Sequence, residues 1–248
     1  MYCSQLALPL LLLNWKQMKH KKTNFVILFL VVITATGLTL WYLRPQKVHK
    51  SLIIEDQSFV QEVPEGWESL FDGNTLTGWE VVQYGGEGEP YVLKGALVIP
   101  RSMTGAMTGI YWVGHSLPTN NYSIFYEARR VEGLDIFAGL SFPYGETAAS
   151  LILGGWAGIV NGLSSINGYD ASENETTQLF TLNDDQWYPV QLHVTPDSIK
   201  ATVGDKQVVD LATAGKDIHL RSGLPDTGLT FWTYGSTGEI RNIRIKRL

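Results

Sequence analysis

Cysteine is almost missing: Cys3 is the only one in 248 residues. Beyond it the chain can form no disulfide and no cysteine-based metal centre, so any folded domain must be held by its core. Charge is scarce too, at 17% of residues. Its balance of 19 basic against 24 acidic side chains, a net of -5, excludes the basic footprint of a nucleic-acid binder. No His-Glu-x-x-His, Cys-x-x-Cys, phosphate loop or Gly-x-Ser-x-Gly elbow is present. Gly85, Gly86 and Gly88 cluster without a following helical pattern and so mark a loop. From residue 64 onward no sustained amphipathic helix can be drawn.

What is abundant is glycine (25 residues) and aromatics (11%), a mixture suited to many short strands and tight turns. Apolar residues recur with period two. Tyr122, Ile124, Tyr126 and Ala128 alternate with Ser123, Phe125, Glu127 and Arg129. Ile136, Ala138, Leu140 and Phe142 form a second such set; Val190, Leu192 and Val194 a third; Ile199, Ala201 and Val203 a fourth. Gly204 and Asp205 then close a hairpin. Nearly 180 residues of this kind predict an all-β, two-sheet sandwich. Trp67, Trp79, Trp112 and Trp232 lie in or beside apolar strands and are expected in the core. His115, His193 and His219 have no ligand-spaced neighbours and read as surface or loop residues.

The N-terminal quarter differs. Residues 25–43 are 19 uncharged residues, roughly 28 Å as a helix and close to the ~30 Å bilayer core. Lys16, Lys19, Lys21 and Lys22 precede them, while Trp41 and Tyr42 suit an interface. One N-terminal transmembrane helix is expected, with a cleaved signal peptide as the alternative. The expected organisation is a cytoplasmic segment over 1–24 (1–17 reading as a mis-assigned start before Met18), an anchor over 25–43, a linker over 44–63 and a sandwich over 64–248. The domain would then lie outside the cytoplasmic membrane, or be secreted if the hydrophobic segment is removed.

Residues 66–79 (GWESLFDGNTLTGW) and the closing run 227–248, ending in the strand IRNIRI at 240–245, carry a further signal. Together they resemble the opening and closing signatures of the 3-keto-disaccharide hydrolase domain family, with Trp187 and the hairpin after it resembling the shared core. The resemblance spans about residues 64–248. It implies a concanavalin-like jelly-roll sandwich and hydrolysis, or cleavage by elimination, of sugars oxidised at carbon 3. A C3 ketone acidifies the C2 proton, so a base can form an enolate and expel the group at C1.

Strand parity supplies the first candidates. If Tyr126 and Ala128 face the core, Glu127 and Arg129 share the other face. Glu127 is the base candidate, Arg129 the partner of the enolate oxygen, and Asp135, at the next turn, a second carboxylate. The competing reading is an exposed ion pair for the first two and turn capping for Asp135. Residues 154–177 pack Trp156, Asn161, Asp170, Glu173 and Asn174 into a glycine-rich loop. A tryptophan face for stacking and amides or carboxylates for hydroxyls make it the candidate sugar-binding segment; an ordinary long hairpin is the alternative. Asp72 and Asn74 are explained by a turn without a metal. No cofactor is called for, and a divalent ion is left undetermined. Where family members carry a Glu-x-Gln-Ile type strand, this chain has LILGGW at 151–156. That departure favours the alternative function, a non-catalytic carbohydrate-binding or adhesion module.

Overall fold

A computed structural model describes residues 62–225 and 228–248. The expected membrane helix over 25–43, the start at Met18 and nearly all of the linker lie outside the described residues. Among those described, no helix is long and apolar enough to cross a membrane.

The period-two pattern resolves into two antiparallel sheets packed face to face. One has eight strands. Its spine runs β13 (Lys206–Ala212), β12 (Ser198–Val203), β11 (Tyr188–Val194), β6 (Tyr122–Gly133), β15 (Ser236–Arg247), β4 (Ala96–Ile99) and β3 (Tyr91–Leu93), with β1 (Glu68–Ser69) also paired to β15. The other has seven: β10 (Gln178–Leu179), β9 (Val160–Ser164), β8 (Thr147–Gly154), β7 (Gly139–Tyr144), β14 (Thr230–Thr233), β5 (Thr108–Trp112) and β2 (Trp79–Val81). The hairpin expected at Gly204 and Asp205 is the β12–β13 turn.

Between the sheets lies one continuous core, in which Tyr122, Ile124, Tyr126, Leu140, Phe142, Leu151 and Phe231 are essentially inaccessible to solvent. Trp79 closes the opening motif by donating its indole N–H to the Leu70 carbonyl at 2.8 Å. The turn before it is held by Asp72, whose carboxylate accepts the Asn74 and Thr75 N–H groups. No metal is needed there.

Strict alternation fails at several places, two of which change how the sequence reads. Ile136 does not share a face with Ala138: residues 134–138 are irregular, Phe137 and Ala138 enter the main core, and Ile136 joins a separate cluster on the outer face of the seven-stranded sheet. In β15, Ile240 and Ile243 are both buried although three residues apart. The register shifts between Arg241 and Arg244, with Asn242 at φ 57°, so one extra residue is absorbed as a bulge and inward parity is restored.

Candidate functional site

Glu127 and Arg129 do lie opposite to the core, as parity predicts, but on the outer face of the eight-stranded sheet. There they belong to a cross-strand charge ladder. Arg241 Nε donates to Glu127 at 2.9 Å, Asn242 Nδ2 donates to the same carboxylate, and Arg129 pairs with Glu239 at 2.6 Å. Each pair sits in direct register between β6 and β15. Trp187 lies beneath both guanidinium carbons, 4.8 Å from Arg129 and 4.1 Å from Arg241, measured to its ring centre. Trp156 is on the opposite side of the sandwich, packed against the outer cluster of the seven-stranded sheet, so Glu127 and Arg129 cannot act on a sugar held by the 154–177 segment and their candidacy for catalysis is corrected. The sequence could not reveal the partners, because they are 110 or more positions away.

The outer face of the seven-stranded sheet is built differently. Phe231 of β14 points inward, so Trp232 points out. Both of its cross-strand neighbours are glycines, Gly109 on β5 and Gly139 on β7. A Cβ on Gly139 would stand 2.5 Å from Trp232 Cε2, so only a bare backbone lets the indole lie down on the sheet. Beside it, Tyr84 covers Gly109. Burial pushes the Tyr84 phenol well above its usual range, and its hydroxyl has no hydrogen-bond partner among the described residues. One row along, Thr230, Ser141, Ser150 and Ser164 pair successively across β14, β7, β8 and β9 as a buried line of hydroxyls. Trp232 Nε1 donates to Ser141 Oγ at 3.2 Å, and Ser141 and Ser150 are hydrogen-bonded at 3.0 Å.

Asp170 sits where that line ends. One carboxylate oxygen accepts the hydroxyls of Ser164 (3.1 Å) and Ser165 (3.3 Å); the other faces Arg221 Nη2 at 3.2 Å. The Arg221 guanidinium in turn lies over the Trp156 ring, 5.6 Å from its centre. Trp156 and Ala157 both adopt left-handed backbone angles (φ 49° and 60°) in the Gly155–Gly158 turn, where glycines on either side relieve crowding. Asp135 braces this turn, its carboxylate accepting the Ile136 N–H at 2.9 Å and the Ala157 N–H at 3.2 Å.

Beside Trp232 and Arg221 is a cleft of about 520 Å³, lined by these two with Tyr84, Met107, Ile136, Leu224 and Tyr234 among others. A smaller hollow of about 300 Å³ beside Arg101 and Asp135 continues it and shares Gly105 and Tyr234. The larger volume is that of a small-molecule site. A comparable hollow at the β10–β13 edge has the Lys216–Glu175 ion pair in its wall and no aromatic lining.

Of the loop candidates, Trp156 and Asp170 do not line the cleft but touch Arg221, which does. Asn161 does not: it is fully buried, accepting the Gly154 N–H at 3.0 Å and donating to the Phe180 carbonyl at 2.9 Å. Asn174 is likewise a brace, donating to the carbonyls of Leu163 and Asp170 and accepting from Thr176. Glu173 is exposed. Sequence reasoning missed Tyr84, Met107, Arg221 and Leu224; Trp232 is buried as expected, but in the outer cluster and not between the sheets. Trp232 had a signal, its position one residue from inward-facing Phe231; the others come from loops with no periodicity. Trp67 is half-buried against Phe125 on the far sheet, and His193 lies on β11, 2.7 Å from Ser123. Among the described residues no three His, Cys, Asp or Glu side chains cluster to hold a metal ion.

Against known proteins, a family model for a 3-keto-alpha-glucoside-1,2-lyase-like domain matches residues 66–246. Among solved structures, a candidate glycosyl hydrolase from Parabacteroides distasonis is 16% identical with a TM-score of 0.50, over 74% of this chain and 94% of that one. The Crh5 transglycosylase, solved with NAG, aligns at TM-score 0.55 and 10% identity over 73% and 84%. A Bacillus subtilis protein with a galectin-like fold gives 0.51 and 12% over 69% and 90%. At these identities the likeness is one of fold. No curated protein matches the chain.

Proposed function

The chain belongs to the 3-keto-alpha-glucoside-1,2-lyase-like domain family, a family of carbohydrate-active domains, and from that premise we propose that it cleaves glycosides oxidised at carbon 3 in the cleft on the seven-stranded sheet. The observation that carries this reading is Arg221, which lines the cleft and touches Trp156 on one side and Asp170 on the other. In the proposed reaction a sugar ring stacks on Trp156. Asp170 takes the C2 proton, and the electron pair moves onto the C3 oxygen as an enolate facing the Arg221 guanidinium. The enolate then collapses to a C1=C2 double bond conjugated with the C3 ketone, the C1–O bond breaks, and the leaving oxygen takes the proton held by Asp170. Water adding its oxygen at C1 and a proton at C2 completes a net hydrolysis without two carboxylates flanking the bond. Asp135 positions the Trp156 turn through the Ala157 N–H.

The test is turnover of a 3-keto-glucoside by the full-length protein. Asp170→Asn is expected to lower kcat/KM by about a hundredfold or more, the scale of a lost general base. Glu127→Gln, on the other face, is expected to stay within about twofold of the parent. Equal activity in the parent and Asp170→Asn removes Asp170 from the mechanism. Sugar binding that is lost in Trp156→Ala, with no turnover in the parent, makes the domain a binding module instead. We further propose that residues 25–43 anchor the protein, with the 64–248 domain outside the cytoplasmic membrane; the uncharged length of that segment supports this. Release of the protein from membranes by alkaline extraction would sink it.

A further inference from the structure

The cleft has two chemically distinct ends. At one, Arg221 joins Trp156 to Asp170, a charged and hydroxyl-rich corner suited to a sugar ring. At the other, Met107 and Leu224 line the cleft and pack against the apolar cluster that contains Trp232 and Ile136. Tyr84 completes this end, and its buried hydroxyl is unpartnered among the described residues. A second sugar would bring several hydroxyls against these side chains and leave most of them without partners. An aromatic group would lie against the Met107 and Leu224 side chains that line the cleft and contact the thioether at its edge.

Resting on the reaction proposed above, we propose that the apolar end of the cleft receives an aromatic aglycone, so that the preferred substrates are aryl glycosides rather than disaccharides. The chemistry is consistent with this placement. A phenol leaves as a phenolate of pKa about 10 and needs far less protonation than a sugar alkoxide.

Calorimetry with the full-length protein compares 4-nitrophenyl α-glucoside with methyl α-glucoside, neither oxidised, so that affinity is read without turnover. The aryl sugar is expected to bind at least tenfold tighter. Met107→Asp and Leu224→Asp, each checked for fold by circular dichroism, are expected to erase that preference, while Gln207→Ala at the remote hollow keeps it. Equal affinity for the two sugars, binding of neither, or a preference untouched in both variants overturns the inference. A parallel assay on 3-keto-glucosides reads the reaction itself. Aryl preference without any turnover would leave this inference standing and bring down the reaction, and turnover without aryl preference the reverse.

Discussion

Gly238 lies against the carbonyl of Phe137: a Cβ built on it would stand 1.8 Å from that oxygen. The contact joins β15 to the irregular segment 134–138 that leads into β7, and so ties one sheet to the other near Asp135. Because the obstacle is backbone and not the end of a flexible side chain, it cannot yield cheaply. Gly238→Ala is expected to cost about 3 kcal/mol or more, read as a lowered urea midpoint with an unchanged slope.

A milder glycine substitution tests the cleft. In Gly139→Ala the new methyl meets the Trp232 indole, a side chain that can tilt. The domain is expected to fold, with Trp232 lifted into the cleft and affinity for any cleft ligand reduced about tenfold. Calorimetry and indole fluorescence together check this. Unchanged affinity with altered fluorescence would separate Trp232 from binding.

Asn161 is expected to matter for stability and only indirectly for activity. Asn161→Ala strips a partner from the Gly154 N–H and the Phe180 carbonyl. Groups left unsatisfied in a buried site cost about 1–3 kcal/mol. Gly154 opens the turn carrying Trp156, so a raised KM should accompany the lower midpoint. A stable variant with wild-type KM would show that the turn is held by other contacts.

His115 provides a pH signature remote from the cleft. Its ring bonds to the Ser116 carbonyl at 3.2 Å and to the Glu68 carboxylate at 2.5 Å, and both hold its pKa above the ordinary value. A raised folded pKa stabilises fully below the unfolded value of about 6.5, and the contribution is lost as pH rises through the folded pKa. Both side chains are about half exposed, so solvent and salt keep the contribution small. An NMR titration should find the His115 pKa elevated in the parent and lower in Glu68→Gln.

Much of the sandwich was legible because alternation is a local signal. Tyr122 through Arg129 read correctly residue by residue, as did the β12–β13 hairpin. Ile136 did not, since an irregular stretch shifts parity without leaving a mark in composition. The site was harder. Trp156 and Asp170 stood out by type within a glycine-rich loop, and Asp135 by its turn. Arg221 could not be found, because its link to Asp170 spans 51 positions and depends on how two loops meet. Glu127 and Arg129 looked available for chemistry only while Arg241 and Glu239, their register partners, were unseen.

The placement of β15 governs when the protein can assemble. Residues 236–247 are the last strand of the domain in chain order, yet they lie between β6 and β4 in the middle of the larger sheet. Without them the β13–β12–β11–β6 and β4–β3 portions have no common seam. Such long-range pairing is slow. The larger sheet therefore stays in two pieces until nearly the whole domain is available to fold.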